Sequence, residues 1–299
     1  MPRGRPSSRG MSLSGIREVW SATRTSQTLR RPLAIDFFGT LKTALEAERN
    51  AILEHLSARI NLPEAGPWQI YLEWEDDRNR LRESRKRSQV DSVAKSRSAT
   101  ILFECKFGET DGGACSQTLL VRGGLHAGMK QCNGNYEMQE NPVNGTSARC
   151  ALTGKGIKYW ELIPSVFRLD SENDYTPCPF NGPWYQWMRN LVLAEEIRRS
   201  EGCQTAFIIV YADHSNLPFP RVLKSLEWAN FRHTLRMDSV QLETISYQEL
   251  LGIALGAVGS SDTKWRRLEA WMLEKIRTVG DAFGQSRLIG DEQALGLNQ

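Results

Sequence analysis

The chain has 299 residues, of which 40% are hydrophobic and 24% charged, so it can bury a sizeable core and is not mainly disordered. Its longest purely apolar run, 206–212, is far shorter than the roughly 20 residues that a membrane-spanning helix needs. The N-terminus carries arginines with no apolar segment behind them, so a secretory signal is not expected. We therefore expect a cytoplasmic protein with no membrane partner.

The net charge of +3 is unevenly distributed along the chain. Residues 1–31 hold seven arginines and one glutamate and have little apolar content, which predicts a flexible basic tail. A second basic run extends from Arg78 to Arg97. This run is interpreted either as a positive surface suited to phosphates or as an ordinary solvated loop.

One long helix is predicted from Pro32 to about Ile60, because apolar residues recur there at helical spacing. Glu48 falls on the apolar stripe of this helix, between Leu45 and Ile52. A carboxylate in that place needs either a cationic partner or a metal ion.

Three strand candidates follow, at Trp68–Glu75, Gln89–Ala94 and Thr100–Phe107. Residues 108–181 are rich in Gly, Asn, Pro and Thr, have weak periodicity and contain four of the six cysteines. This composition is typical of loops, and we interpret the segment as a loop-rich insertion.

The C-terminal part of the chain alternates helices and strands. Pro183 opens a helix, and the apolar run 206–212 is typical of a strand that is buried on both faces. The later elements are helices at Val222–Leu235 and Tyr247–Leu255, a strand at Val240–Ser246, and a last helix from Trp265 to Val279. We divide the chain into the tail 1–31, a core at 32–260 that includes the insertion 108–181, and a C-terminal helix and tail at 261–299.

The strand candidate Thr100–Phe107 carries the chemistry. Its alternation puts Glu104 and Lys106 together on the face opposite to an apolar set formed by Ile101, Phe103, Cys105 and Phe107. Asp91 lies in the preceding strand candidate, where aspartate is depleted, and can approach Glu104 if the two strands form an antiparallel hairpin. Two carboxylates suit a hard cation such as Mg²⁺, and a lysine beside them can orient an attacking water. The alternative is that Glu104 and Lys106 are exposed on an edge strand, where charged side chains prevent the strand from pairing with another chain.

Asp91, a twelve-residue spacer and Glu104-Cys105-Lys106 on an apolar strand resemble the PD-(D/E)XK nuclease superfamily. The segments TSQTLRRPLAIDFFGTL, FECKFGETDGGACSQ, KYWELIP, CPFNGPWYQWMRN and VYADH are similar to a bacterial branch of restriction endonuclease-like proteins. The resemblance covers roughly residues 25–250. It implies an α/β fold with an αβββαβ core, in which a mixed central sheet is flanked by helices.

The resemblance also implies an activity and its residues. The activity is hydrolysis of DNA phosphodiester bonds by a nuclease that depends on Mg²⁺ or Mn²⁺, and many relatives act as homodimers. Asp91, Glu104 and the Cys105 carbonyl would be the metal ligands, with Lys106 as the catalytic lysine. Val90 stands where many relatives have proline. In several branches a first-helix glutamate completes the metal site, which Glu48 or Glu46 would supply here.

Further polar residues are candidates for the surroundings of this site. Gln186 and Asn190 share a helix face, so they can bind phosphate or order the metal site, and similar nucleases place a helix glutamine there. Arg189 beside them is either a phosphate contact or a solvated arginine. Glu109 and Gln117 follow the central strand closely and can support the ligands.

The insertion contains Cys115, Cys132, Cys150 and Cys178, each close to Gly, Asn or Pro. Four sulfurs can hold zinc or an iron-sulfur cluster, but the long spacers favour the alternative of separately buried thiols. Cys105 and Cys203 are expected in the core. The leading hypothesis is thus a nuclease, and the alternatives are a non-catalytic nucleic-acid-binding protein of the same fold and a protein whose function lies in a cysteine-bound metal.

Overall fold

The computed structural model describes residues 33–62, 66–84, 86–168 and 177–296, so the predicted basic tail at 1–31 lies outside the described residues. The predicted long first helix is wrong. Residues 33–43 form helix α1 and Glu46–Arg59 form helix α2. Leu45 between them has an extended backbone (φ −55°, ψ 146°) and a side chain that is 77% exposed, so the apolar stripe does not continue through it.

The remaining elements follow in chain order. They are β1 (Gln69–Glu75), β2 (Gln89–Lys95), β3 (Ala99–Lys106), β4 (Gln139–Glu140), β5 (Ser147–Ala148), α3 (Ala151–Gly154), α4 (Tyr159–Val166), α5 (Tyr185–Glu201), β6 (Gln204–Tyr211), α6 (Phe219–Val222), α7 (Leu226–His233), β7 (Gln241–Ser246), α8 (Tyr247–Val258) and α9 (Thr263–Gly296). Among the described helices, none combines the length and apolar character that crossing a bilayer requires.

Five strands form the central sheet, in the order β1-β2-β3-β6-β7. The first three are antiparallel neighbours, whereas β6 lies parallel to β3 and β7 parallel to β6. Helices cover both faces, and β3 and β6 in the middle are almost fully buried, as expected for strands with both faces covered. The predicted mixed sheet and αβββαβ order are therefore confirmed.

The two faces of β3 belong to two different hydrophobic layers. Ile101, Phe103, Cys105 and Phe107 pack into a core with side chains of α1, α2, α8 and α9. Leu102 on the opposite face packs with residues of α4, α5 and α7. Glu104 and Lys106 share the face of Leu102, because side chains two residues apart on a strand point the same way. The strand alternation therefore directs both polar groups towards α5.

The insertion after β3 returns to the sheet at the start of α5. The amide of Gly112 donates to the Pro183 carbonyl (2.7 Å), and the amide of Gln186 donates to the Gly112 carbonyl (2.8 Å). A Cβ on Gly112 would lie 2.9 Å from the Trp187 ring, so a residue without a side chain is needed. These contacts hold the first turn of α5 beside the end of β3.

Several cations of the basic run Arg78–Arg97 are paired with acidic side chains. Arg80 is paired with Asp76 and with Glu201 at the end of α5, and Lys95 pairs with Glu201 at 2.5 Å. Arg80 and Lys95 are therefore occupied in ion pairs that fasten the β1–β2 region to α5, and these two residues are not part of a free positive surface.

Candidate active site

A buried ion pair lies near the end of β3. The ammonium of Lys106 is 3.0 Å from Oε1 of Glu104, and the two residues are 2% and 1% exposed. Burying two charges is costly unless they are paired and hydrogen-bonded. Their neighbours on α5 supply the additional hydrogen bonds.

Gln186 and Asn190 approach this pair from α5, where they lie one turn apart. Lys106 donates to Oε1 of Gln186 at 3.0 Å, and Nε2 of Gln186 donates to Oε1 of Glu104 at 2.6 Å. Nδ2 of Asn190 donates to Oε2 of Glu104 at 3.3 Å. The side chain of Gln186 thus bridges the carboxylate and the ammonium, so the network has a defined geometry.

Asp91 joins the same region from β2. In the antiparallel β2–β3 ladder Ser92 pairs with Phe103, and Asp91 directly precedes Ser92. Oδ2 of Asp91 accepts a hydrogen bond of 2.7 Å from the amide of Cys105, the residue between Glu104 and Lys106. The structure therefore brings an acidic side chain to the backbone of the Glu-Cys-Lys triplet.

The donor atoms at this place are suited to a hard divalent cation. Carboxylate oxygens of Asp91 and Glu104 and the carbonyl of Cys105 are the ligand types that Mg²⁺ prefers. Oδ1 of Asn190 is buried and has no hydrogen-bond partner among the described residues, so it can accept from a metal-coordinated water. The described part of the chain has no group of three or more His, Cys, Asp or Glu side chains arranged to hold a metal ion. Magnesium, which keeps several waters, tolerates such a sparse protein ligand set.

The thiol of Cys105 points away from the ion pair into the opposite core. Burial raises its pKa well above the ordinary value, and the Asp91 carboxylate raises it further. The thiol forms a hydrogen bond with the side chain of Tyr247, the first residue of α8. Burial also raises the pKa of Tyr247. Cys105 therefore contributes only backbone atoms to the site.

An open groove of about 840 Å³ runs from the insertion to α5. Its lining includes Lys86, His126, Lys155 and Arg189, together called the basic groove below, and also Glu83. The Glu83 carboxylate is engaged by the amide of Ser88 and the hydroxyl of Tyr159. Arg189 donates to the carbonyl of Gln89, two residues before Asp91, at 3.5 Å, so one lining residue of the groove contacts the strand that carries Asp91.

Three other candidates have different surroundings. Glu48 pairs with Lys264 at 2.6 Å and accepts from the Trp265 indole. Its neighbour Arg49 donates to the carbonyl of Trp68, which directly precedes β1. This end of β1 lies at the end of the sheet where β3 begins, whereas the proposed metal ligands lie near the end of β3, so Glu48 is not beside them. Glu46 is exposed in the first turn of α2.

Gln117 accepts from Lys155 within the insertion, so it is removed from the surroundings of the ion pair. Glu109 accepts from the amide of Phe107 at 3.0 Å and remains close to the end of β3.

The four insertion cysteines converge on a second place. Cys115, Cys132, Cys150 and Cys178 are half-buried free thiols that line one cavity of about 30 Å³. Burial raises the pKa of Cys115 to about 11 and that of Cys178 to about 12, and the neighbouring cysteines raise both further. Cys105 and Cys203 lie in the cores, as expected.

A mixed five-stranded sheet in αβββαβ order, with an acidic residue beside a Glu-X-Lys strand, is the architecture of restriction-endonuclease-like proteins. Residues 26–265 match the family described as Restriction Endonuclease associating with ARP, and the chain belongs to this family. Membership confirms the resemblance seen in the sequence and indicates a nuclease. Searches among curated proteins and among solved structures each found no match.

Proposed function

We propose that this protein is a nuclease that hydrolyses phosphodiester bonds of DNA with the help of a divalent metal ion. The observation that carries the proposal is the buried network of Glu104, Lys106 and Gln186, with Asp91 hydrogen-bonded to the amide inside the same triplet. Membership in a restriction endonuclease-like family supports the same reaction class and makes DNA the expected substrate.

The oxygens of Asp91, Glu104 and the Cys105 carbonyl would hold Mg²⁺ or Mn²⁺. The ion would polarise the scissile phosphate and lower the pKa of the attacking water. Asn190 holds one oxygen of Glu104, and Gln186 holds the other, so these amides keep the carboxylate oriented. Hydrogen bonds from neighbouring side chains to the ligating groups orient the ligands and raise the affinity of a site for its metal ion.

Lys106 supplies positive charge where negative charge develops on phosphorus. Its ammonium is held in position by Glu104 and Gln186 before substrate arrives, and rotation of the Gln186 side chain would be needed to expose it to a phosphate oxygen. Burial lowers the effective dielectric around it and strengthens its interaction with a phosphate oxygen.

The substrate approaches over the half-buried side chains of Asp91 and Gln186, because Glu104 and Lys106 lie beneath them. The basic groove leads to this place, and its cations are suited to successive backbone phosphates. Arg189 lies at the junction of groove and site. We therefore assign backbone binding to the groove and phosphodiester cleavage to the buried network.

The test is incubation of supercoiled plasmid with purified protein in the presence of Mg²⁺, Mn²⁺ or EDTA. We expect cleavage with either metal and none with EDTA. In samples that circular dichroism shows to be folded, Lys106→Ala should lower the rate by about 10²-fold or more, because it removes a preorganised charge. Lys42→Ala, which changes an exposed lysine on α1, is the matched control and should cut normally.

A second candidate function is nucleic-acid binding without catalysis, and one observation favours it. Glu104 and Lys106 are almost completely buried, as expected for an ion pair that only stabilises the fold. An electrophoretic shift without cleavage in any metal would support this function and contradict the nuclease. In either case Arg189→Ala should weaken binding and reduce the slope of log affinity against log salt by about one.

A further inference from the structure

The cysteine cavity collects side chains from distant parts of the insertion. Cys115 precedes a short 3₁₀ turn, Cys132 and Cys178 lie in separate loops, and Cys150 precedes α3. The Cys115 and Cys178 thiols each interact electrostatically with those of Cys132 and Cys150, and with each other. Four thiols that converge from separate loops differ from core cysteines, which pack individually among apolar side chains.

The turns around three of these cysteines share one geometry. The amide of Gly134 donates to the Cys132 sulfur at 3.5 Å, two residues further along the chain. The sulfurs of Cys115 and Cys178 accept from the amides of Gln117 and Phe180, with the same spacing. Amide donors aimed at sulfur stabilise a thiolate, as outer hydrogen bonds do for metal ligands. A buried neutral thiol, a weak acceptor, has little need of them.

Two of these turns are also tied to each other. The amide of Cys178 donates to the Gly134 carbonyl at 2.8 Å. Gly134 has a φ of +91°, and a Cβ there would lie 2.7 Å from the Asn181 side chain. A backbone of this shape is natural only for glycine. The sequence Cys132-Asn133-Gly134 thus builds a tight turn that presents its sulfur to the cavity.

Charge and size indicate what the cavity holds. The Lys155 ammonium lies within electrostatic reach of the Cys115 sulfur, so a cation is at hand to balance thiolates. The small cavity of about 30 Å³ fits a single ion, and bound iron with sulfide is a separate outcome of the test below. Thiolate ligands in a closed four-sulfur site favour zinc.

We propose that Cys115, Cys132, Cys150 and Cys178 bind one Zn²⁺ ion that crosslinks the insertion. Among the described residues the four sulfurs line one cavity but are not at metal-ligand spacing. Zinc binding would therefore require their side chains to rotate inward, the thiols would release their protons to solvent, and zinc would stay in the same oxidation state. The crosslink is useful because the insertion contains only short helices and two-residue strands in its described part. This site is separate from the proposed hydrolytic centre, where the expected metal is held by oxygen.

The first measurement is the zinc content of the full-length untagged protein, purified without chelator. We expect one zinc per chain. Cys150→Ser should lower zinc affinity by about tenfold or more. Cys203→Ser is the matched control, since it makes the same change at a core cysteine outside the cavity, and it should keep its zinc.

A second measurement keeps the proposal testable if Cys150→Ser does not fold. Replacing zinc by Co²⁺ in the wild-type chain should produce the sulfur-to-cobalt and ligand-field absorption bands of a tetrahedral thiolate site. Four unreacted thiols without bound metal would overturn the proposal. Bound iron with acid-labile sulfide, or a mass decrease of two hydrogens per disulfide, would overturn it as well. Neither measurement depends on nuclease activity.

Discussion

The buried pair of Glu104 and Lys106 allows a test of the site that does not depend on catalysis. At 3.0 Å and an effective dielectric of about 20, the attraction between the two charges is on the order of 5 kcal/mol. Desolvation offsets much of it, so the pair contributes little net stability. Removing one partner is different, because the other charge is then left buried without compensation.

We predict that Lys106→Met lowers the free energy of unfolding by about 3–5 kcal/mol. The double variant Glu104→Gln with Lys106→Met should lose much less, about 2 kcal/mol or below. Its amide oxygen can accept from Gln186, and its NH₂ group can donate to Oδ1 of Asn190 once the Asn190 amide turns over. Together with the single variant Glu104→Gln, which completes the double-mutant cycle, the coupling energy should favour the double variant by about 2 kcal/mol or more.

The assay is equilibrium unfolding in urea at neutral pH, followed by tryptophan fluorescence and far-ultraviolet circular dichroism. Lys42→Met, at an exposed position, is the control and should unfold at the wild-type midpoint. Additive losses in the double variant would refute the reasoning, because they would mean that the two charges do not interact in the folded chain.

Two further predictions concern the ends of α5. Gly112→Ala should lower stability by about 1–3 kcal/mol, because its Cβ would press on the Trp187 ring, whereas Gly123→Ala, with open space around it, should not change the melting temperature. At the other end, burial alone would raise the pKa of Glu201, but Lys95 and Arg80 outweigh this and lower the pKa overall. The stability that Glu201 contributes should thus be complete above its unfolded pKa and be lost as pH falls through its lower folded pKa. Urea unfolding of wild type and Glu201→Gln should converge at acid pH, and a constant difference across the pH range would contradict this account.

Local patterns in the sequence predicted the central sheet well. The alternation along Thr100–Phe107 correctly separated an apolar face from Glu104 and Lys106, because the period of a strand depends only on chain geometry. The run 206–212 correctly indicated a strand buried on both faces. The helix break at Leu45 was missed, since an exposed leucine on an apolar stripe looks the same in sequence as a buried one.

Long-range pairing lay beyond what the sequence pattern could predict. The partners of Glu48 are Lys264 and Trp265 on the last helix, more than two hundred positions away in the chain. The convergence of the four insertion cysteines likewise depends on loop paths that no periodicity encodes. The resemblance to a nuclease family identified the triplet, whereas the amides of Gln186 and Asn190 acquire defined partners only in three dimensions.

Helix α5 is secured at each extremity, by the Gly112 and Gly113 carbonyls at its first turn and by the ion pairs of Glu201 at its last residue. Because the helix is held at both ends, it resists tilting, so movement of the whole helix would not separate the Gln186 side chain from Lys106. Uncovering the ammonium must then rely on rotation about the side-chain bonds of Gln186, a motion on a timescale of nanoseconds or somewhat longer. Entry to the pocket would accordingly be quick compared with turnover and would leave no slow opening phase in the kinetics.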